Sequence, residues 1–224
     1  FVKSNTKHQI HIQNKNTKTN VEKIKKMKNK ADNYPNYLFF IYIAVWILLA
    51  IKPIDRFNWF LENIIVFVFI PIIVLIHRKS RLSNTSYTLI TIYLTLHAIG
   101  AHYTYSETPF FSSFLGHKFE RDHYDRLTHF TFGLLMYYPV REFIRKHAKI
   151  KGLWGYCIPL AVVVSFSAVY ELLEWFAALI FAPEHATTFM GMQGDMFDAQ
   201  KDMLLASTGA LIALTASYVN TKIK

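Results

Sequence analysis

Two pairs of ionisable residues lie at helical spacing within or at the start of apolar stretches. Asp125 and His129 are four residues apart, and Glu171 and Glu174 are three apart, so each pair shares one face of a helix. Carboxylates and imidazole act as general acids and bases. Charged side chains are costly in hydrocarbon, since an Asp at the centre of a membrane helix costs roughly 2.5–3.5 kcal/mol. These four residues are therefore the predicted catalytic residues.

Further acids and two histidines extend this set. Asp195, Asp198 and Asp202 follow i, i+3, i+7 spacing, which is one stripe of a helix that begins early enough. His97 and His102 lie in another apolar stretch. A pocket that gathers imidazole and carboxylates has the ligand types used for zinc, manganese or iron. The predicted metal ligands are His97, His102, Asp125, His129, Glu171, Asp198 and Asp202.

Two arginines accompany the acids. Clustered carboxylates repel one another unless a cation, an arginine or a shared proton offsets their charge. Arg121 and Arg126 are available for that role. Because a planar guanidinium also matches phosphate, Arg126 is predicted to orient an anionic group.

These residues also have interpretations that involve no functional site. Asp125 with Arg126 can form an interfacial pair at a helix start, and the histidines can form hydrogen bonds across packed helices. Asp195 and Asp198 can be ordinary N-terminal acids favoured by the helix dipole. The pair Glu171 and Glu174 is hardest to explain by packing, since ionisable residues inside membrane helices are functional by default.

Six apolar stretches carry or flank these residues. They cover approximately residues 37–51, 59–76, 87–105, 127–140, 154–181 and 203–219. A spanning helix needs about 20 mainly apolar residues, and the first and fourth stretches reach that length once flanking aromatic anchors are counted. The fourth must also start as early as Tyr124 or Asp125. The predicted fold is an all-α, polytopic transmembrane bundle of about six helices, formed by residues 34–224.

The basic residues predict how the chain crosses the membrane. The formal net charge is +10, and much of the excess lies in residues 1–33, which are predicted to be a disordered cytoplasmic tail. Most of the rest lies in short gaps between apolar stretches, which is typical of membrane proteins and argues against a nucleic-acid partner. The positive-inside rule then places both termini in the cytoplasm. This orientation brings the ionisable residues of the last four helices to the extracytoplasmic side.

Two further features concern packing. The single Cys157 excludes an internal disulfide and a cysteine-based zinc site. Ala206, Gly209, Ala210 and Ala213 give the sixth helix the small-residue spacing that allows close helix packing.

Four motifs together resemble a known family. They are LHAIGAHYTY at residues 96–105, YDRLTHF at 124–130, YELLEW at 170–175, and QGD at 193–195 followed by DAQKDM at 198–203. This ordered set resembles the YjdF-type bacterial inner-membrane proteins, a domain of unknown function, and the likeness covers most of the chain after the tail. The resemblance implies a multi-pass protein of the bacterial cytoplasmic membrane.

A looser similarity is to the VanZ-like membrane proteins. That family shows Asp-x-x-x-His at a helix start, a later Glu, and an Asp before a final helix that contains Gly. The matching residues are Asp125, His129, Glu171, Asp202 and Gly209. VanZ-like proteins are associated with glycopeptide-antibiotic resistance and cell-envelope phenotypes, without an agreed reaction. The resemblance implies a membrane location and supports the site, and it leaves the substrate open.

The leading hypothesis is an integral membrane protein with an extracytoplasmic polar site that holds a divalent metal such as Zn, Mn or Fe. The expected partners are the lipid bilayer and a lipid-linked or envelope substrate, and a metal-activated water would attack an ester or phosphoester. The alternatives are a proton- or ion-coupled small transporter and a non-catalytic scaffold. A transport path needs polar groups in both membrane halves, so the one-sided cluster favours a site.

Overall fold

The computed structural model describes residues 33–109, 121–181 and 193–223. Within these ranges all regular structure is α-helical, in six helices: α1 (Asn33–Leu49), α2 (Arg56–Lys79), α3 (Asn84–His102), α4 (Tyr124–His147), α5 (Trp154–Phe181) and α6 (Asp198–Ile223). The predicted all-α bundle of about six helices is confirmed. The predicted disordered tail lies outside the described residues, apart from Asn33.

Local sequence signals set the helix boundaries. Asp55 caps α2 by accepting a hydrogen bond from the backbone N–H of Asn58 at 2.9 Å, and Ser83 caps α3 through the N–H of Ser86 at 3.2 Å. The last turns of α2 and α4 are basic, which suits the negative end of the helix dipole. We call the end at which α2, α4 and α6 begin the upper end of the bundle, and the opposite end the lower end.

The distribution of side chains is that of a protein surrounded by lipid. Large apolar side chains point outward, and Phe40, Leu48 and Ile180 are each 67% exposed. Polar side chains are turned inward, and Asn63 is fully buried while Glu62 is 4% exposed. Such extensive exposed apolar surface marks contact with a membrane.

The helices differ in how apolar they are, because they occupy different positions. By length and composition α2, α5 and α6 are able to cross a membrane, and α1 is a shorter apolar helix. The more polar α4 packs against α3, α5 and α6. Its neighbours shield its polar residues from lipid, so it can carry a site.

The contact between α4 and α6 depends on two glycines. A Cβ atom added at Gly133 would lie 2.8 Å from the backbone N of Ala210, and one added at Gly209 would lie 2.8 Å from the backbone N of Leu134. Both distances are well inside van der Waals contact, so the two backbones meet directly. The small-residue spacing in the sixth helix therefore serves close packing, as predicted.

A polar cluster at the lower end connects α3 to α4. Glu142 accepts hydrogen bonds from the backbone N–H of Ser83 at 2.8 Å and from the hydroxyl of Ser86 at 2.5 Å, and it pairs with Lys146 at 2.8 Å. These contacts fully explain a partly buried carboxylate by packing.

Candidate functional site

Three helices bring together four residues near the upper end of the bundle. Nε2 of His129 lies 3.5 Å from Oδ1 of Asp125 and 3.3 Å from Oε1 of Glu171. The possible ligand atoms of Asp125, His129 and Asp202 all lie within 4.8 Å of one another. We call Asp125, His129, Glu171 and Asp202 the acid–histidine cluster. All four are among the residues that the sequence predicts for metal binding.

The acid–histidine cluster is buried and rich in negative charge. Asp202 is 2% exposed and His129 is 7% exposed. Oδ1 of Asp202 and Oε1 of Glu171 form no hydrogen bond within the described residues. Three carboxylates around one imidazole repel one another, and a buried charge without full compensation is strongly unfavourable. A cation at this position would offset that charge.

A layer of ion pairs lies beside the acid–histidine cluster at the start of α6. Nη2 of Arg121 lies 2.5 Å from both carboxylate oxygens of Asp198, while Arg126 and Lys201 each lie 2.5 Å from Oδ2 of Asp195. The hydrogen bond from the Lys201 ammonium lowers the pKa of Asp195 to about 2. Asp198, a predicted ligand, is thus already held by an arginine.

The two predicted histidines of α3 lie outside this cluster. Nδ1 of His97 lies 2.5 Å from the hydroxyl of Tyr105, and its Nε2 lies 3.2 Å from the backbone oxygen of Glu62. Nδ1 of His102 lies 2.7 Å from the backbone oxygen of Leu49. Both ring nitrogens of His97 therefore have protein partners, as in the packing interpretation.

Glu174, a predicted catalytic residue, lines a cavity of about 430 Å³ between α5 and α6. Glu171 and Asp198 line the same cavity, together with apolar residues that include Trp175 and Met203. This smaller cavity reaches the acid–histidine cluster through Glu171. Glu174 is thus near the cluster without being in the group that could hold a metal.

One buried acid was missed by the sequence analysis. Glu62 of α2 accepts a hydrogen bond of 2.7 Å from the hydroxyl of Tyr170, which neighbours Glu171 on α5. The available signal was an acid within the second apolar stretch, where an ionisable residue requires an explanation. Glu62 has no second ionisable residue at helical spacing within that stretch, so the pairing of ionisable residues does not single it out.

Comparison with known proteins identifies a family of predicted membrane proteins and a relative in Escherichia coli. A family model described as "Predicted membrane protein (DUF2238)" matches residues 34–222. The inner membrane protein YjdF of Escherichia coli strain K12 is 33% identical over 175 residues, which cover 75% of this chain and 80% of that protein. No solved structure matches the chain.

These matches confirm the resemblance to the YjdF-type proteins and the predicted location in the inner membrane. Together with the outward-facing apolar helices, they show an integral, multi-pass membrane protein. The chain belongs to the DUF2238 family of predicted membrane proteins.

Proposed function

We propose that the acid–histidine cluster holds a divalent metal ion and that the protein is a membrane-embedded hydrolase. One observation carries the proposal: the ligand atoms of Asp125, His129 and Asp202, from two helices, lie within 4.8 Å of one another in a buried position. One imidazole with two carboxylates suits zinc, manganese or iron. Three protein ligands leave a coordination position open for water or substrate, as in catalytic zinc sites.

The charge balance supports a metal ion over simple packing. The partly buried carboxylate at the lower end, Glu142, is fully engaged by hydroxyl, backbone and ammonium donors. The acid–histidine cluster has no comparable set of donors, and Asp202 keeps an oxygen without a hydrogen-bond partner in the described residues. A divalent ion bound there would offset the charge of these carboxylates.

The remaining residues are suited to hydrolysis of an ester or phosphoester. A divalent ion would activate water and polarise the bond to be cleaved. Glu171, with Oε1 3.3 Å from His129, is positioned to take a proton from the attacking water and return it to the leaving oxygen. The new bond joins the water oxygen to carbon or phosphorus, and the bond to the leaving oxygen breaks. Glu174, in the adjacent cavity, would assist this proton transfer.

The ion-pair layer favours an anionic group on the substrate. Three cations, Arg121, Arg126 and Lys201, meet two carboxylates, Asp195 and Asp198, so the layer carries an excess positive charge. Arg126 would orient an anionic headgroup through this excess. The predicted orientation puts the upper end outside the cytoplasm, where a lipid-linked or envelope substrate is available.

Metal content tests the proposal. The full chain is purified in detergent without chelators, and zinc, manganese and iron are measured by elemental analysis. We expect a near-stoichiometric metal in the wild type, loss of at least tenfold in Asp125→Asn with Asp202→Asn, and no loss in Glu142→Gln. The last variant is a matched control, because it changes a partly buried carboxylate of α4 at the opposite end.

A folded wild type that holds no metal, even after incubation with each ion, would overturn the proposal. An ion relay or a scaffold would then be the better interpretation. A metal retained by the folded double variant would place the metal site elsewhere.

A further inference from the structure

A second cavity extends from the acid–histidine cluster towards the lower end of the bundle. It has a volume of about 470 Å³ and is lined by residues of α2, α3, α4 and α5. His129 and Tyr170 line its upper part, and Ile76, Leu82 and Ile144 line its lower part. We call it the deep cavity.

The dimensions of the deep cavity match a hydrocarbon chain. Along α4 its wall extends from His129 to Ile144, which corresponds to about 22 Å at 1.5 Å per residue. Its volume is roughly three times that of a 150 Å³ apolar cavity that stays dry and binds benzene, and so offers space for roughly eighteen carbon atoms. It is therefore long and narrow, with room for one linear chain.

The lining of the deep cavity excludes a polar occupant below the cluster. No Asp, Glu, Lys or Arg is among the described residues that line it. Most of its polar groups lie at the upper part and bond to protein: His97 to Tyr105, Tyr170 to Glu62 at 2.7 Å, and Thr128 to a backbone oxygen at 3.0 Å. The hydroxyl of Ser167, about one helical turn below Tyr170, has no hydrogen-bond partner in the described residues. An ion or a sugar would find no partners further down.

The deep cavity and the smaller cavity meet at the acid–histidine cluster. His129 lines the deep cavity and Glu171 lines the smaller one, and their side chains are 3.3 Å apart. An amphiphile with its tail in the deep cavity would thus place the bond next to its headgroup at the proposed catalytic residues.

Side chains join α2 to α5 along one wall of the deep cavity. These helices are bridged by the rings of Phe69 and Phe166, whose centroids are 5.8 Å apart, and by the hydrogen bond from Tyr170 to Glu62. Both bridges are made by side chains, which can rotate to admit a chain from the bilayer.

We propose that the deep cavity binds the single hydrocarbon tail of a membrane lipid and thereby makes lipids with a linear tail the substrate class. The position of the headgroup rests on the proposed function, whereas binding of the tail rests on the cavity alone. A linear acyl chain of roughly eighteen carbons fits this space, whereas the longer, methyl-branched tail of a polyprenyl phosphate does not, and the experiment separates the two.

Photo-cross-linking of the purified full chain in detergent micelles tests the proposal. The probes are a phospholipid with a diazirine at the end of its acyl chain and a polyprenyl phosphate with the same group, and labelled residues are mapped by mass spectrometry. We expect the phospholipid probe to label the lower wall at Phe143 or Ile144, and excess unlabelled phospholipid to displace it. Labelling of these residues by the polyprenyl phosphate probe alone would overturn the linear-tail proposal. Val162→Trp, which fills the deep cavity, should reduce this labelling at least tenfold. Val68→Trp, on the lipid-facing side of α2, should leave it unchanged.

The other outcomes separate the two proposals. Asp202→Asn should keep the labelling, because the tail does not need the metal. Labelling confined to outward-facing residues such as Leu75 and Leu179, or labelling that unlabelled lipid does not displace, overturns the tail site even if the metal is present. If Val162→Trp does not fold, Met136→Trp fills the same cavity from α4, and displacement in the wild type decides the question without any variant.

Discussion

Replacement of Gly209 by alanine should separate α4 from α6. A Cβ at this position would lie 2.8 Å from the backbone N of Leu134 and closer still to the backbone oxygen of Phe130. Ordinary contact begins at 3.4 Å. Because both obstacles are backbone atoms, no side chain can rotate away, and the helices must move apart along their whole contact.

Two opposing effects determine the expected loss in the free energy of unfolding of Gly209→Ala. Alanine in place of glycine favours an isolated helix by about 1 kcal/mol. Overpacking costs about 1–3 kcal/mol, and occasionally more, and contact with rigid backbone puts this site at the upper end or beyond. We expect a net loss of about 2 kcal/mol or more, which corresponds to a fall of about 4–8 °C in melting temperature for a domain of this size.

Thermal unfolding in detergent measures this change. The matched control is Ala216→Leu, which adds a larger side chain to an exposed position of the same helix and should leave the melting temperature unchanged. Metal affinity should also fall in Gly209→Ala, because α6 carries Asp202 and α4 carries His129. A melting temperature equal to or above that of the wild type would refute the direct backbone contact.

Three further results are expected. Tyr170→Phe should lower the free energy of unfolding by about 1–3 kcal/mol, because Glu62 loses its hydrogen bond. Thermal unfolding of this variant beside Glu62→Gln measures the loss, and stability equal to that of the wild type would contradict the contact. Asp195→Asn should lower the melting temperature at pH 6. Because the hydrogen bond from Lys201 lowers the pKa of Asp195 from 3.8 to about 2, this stabilisation is lost as Asp195 is protonated, and the gap in melting temperature between wild type and variant should shrink as pH falls from about 4 towards 2. A gap that stays constant across this range would count against the ion pair. Glu142→Ala should lower the free energy of unfolding by about 1–3 kcal/mol, because a partly buried backbone N–H, that of Ser83, loses its partner. Metal content should stay at the wild-type level.

The helical parts of the fold were predictable because apolar length is a local property. Six apolar stretches gave six helices, and the need to extend the fourth stretch back to Tyr124 agrees with the start of α4. The i, i+4 spacing of Asp125 and His129 likewise predicts that their side chains share one face of the helix. The central position of α4, shielded by its neighbours, depends on tertiary packing. The periodicity of the sequence carries no information about which helices pack together.

The ligand set was harder to predict, because residue type does not reveal the partner. His97 and His129 both lie in apolar stretches and were both predicted as metal ligands. His97 is held by Tyr105 and a backbone oxygen, whereas His129 faces two carboxylates. Likewise, Asp198 and Asp202 share a stripe of α6, but Asp198 pairs with Arg121, whereas Asp202 belongs to the acid–histidine cluster. Only the arrangement of neighbouring helices distinguishes them.

X-ray absorption spectroscopy of the metal-loaded protein tests the central claim most directly. The wild type should show a shell of oxygen and nitrogen ligands with the outer scattering of one imidazole, and His129→Gln should lose the imidazole signal while it keeps the oxygen shell. An all-oxygen shell in the wild type, or an imidazole signal that persists in folded His129→Gln, would contradict a metal site built from Asp125, His129 and Asp202.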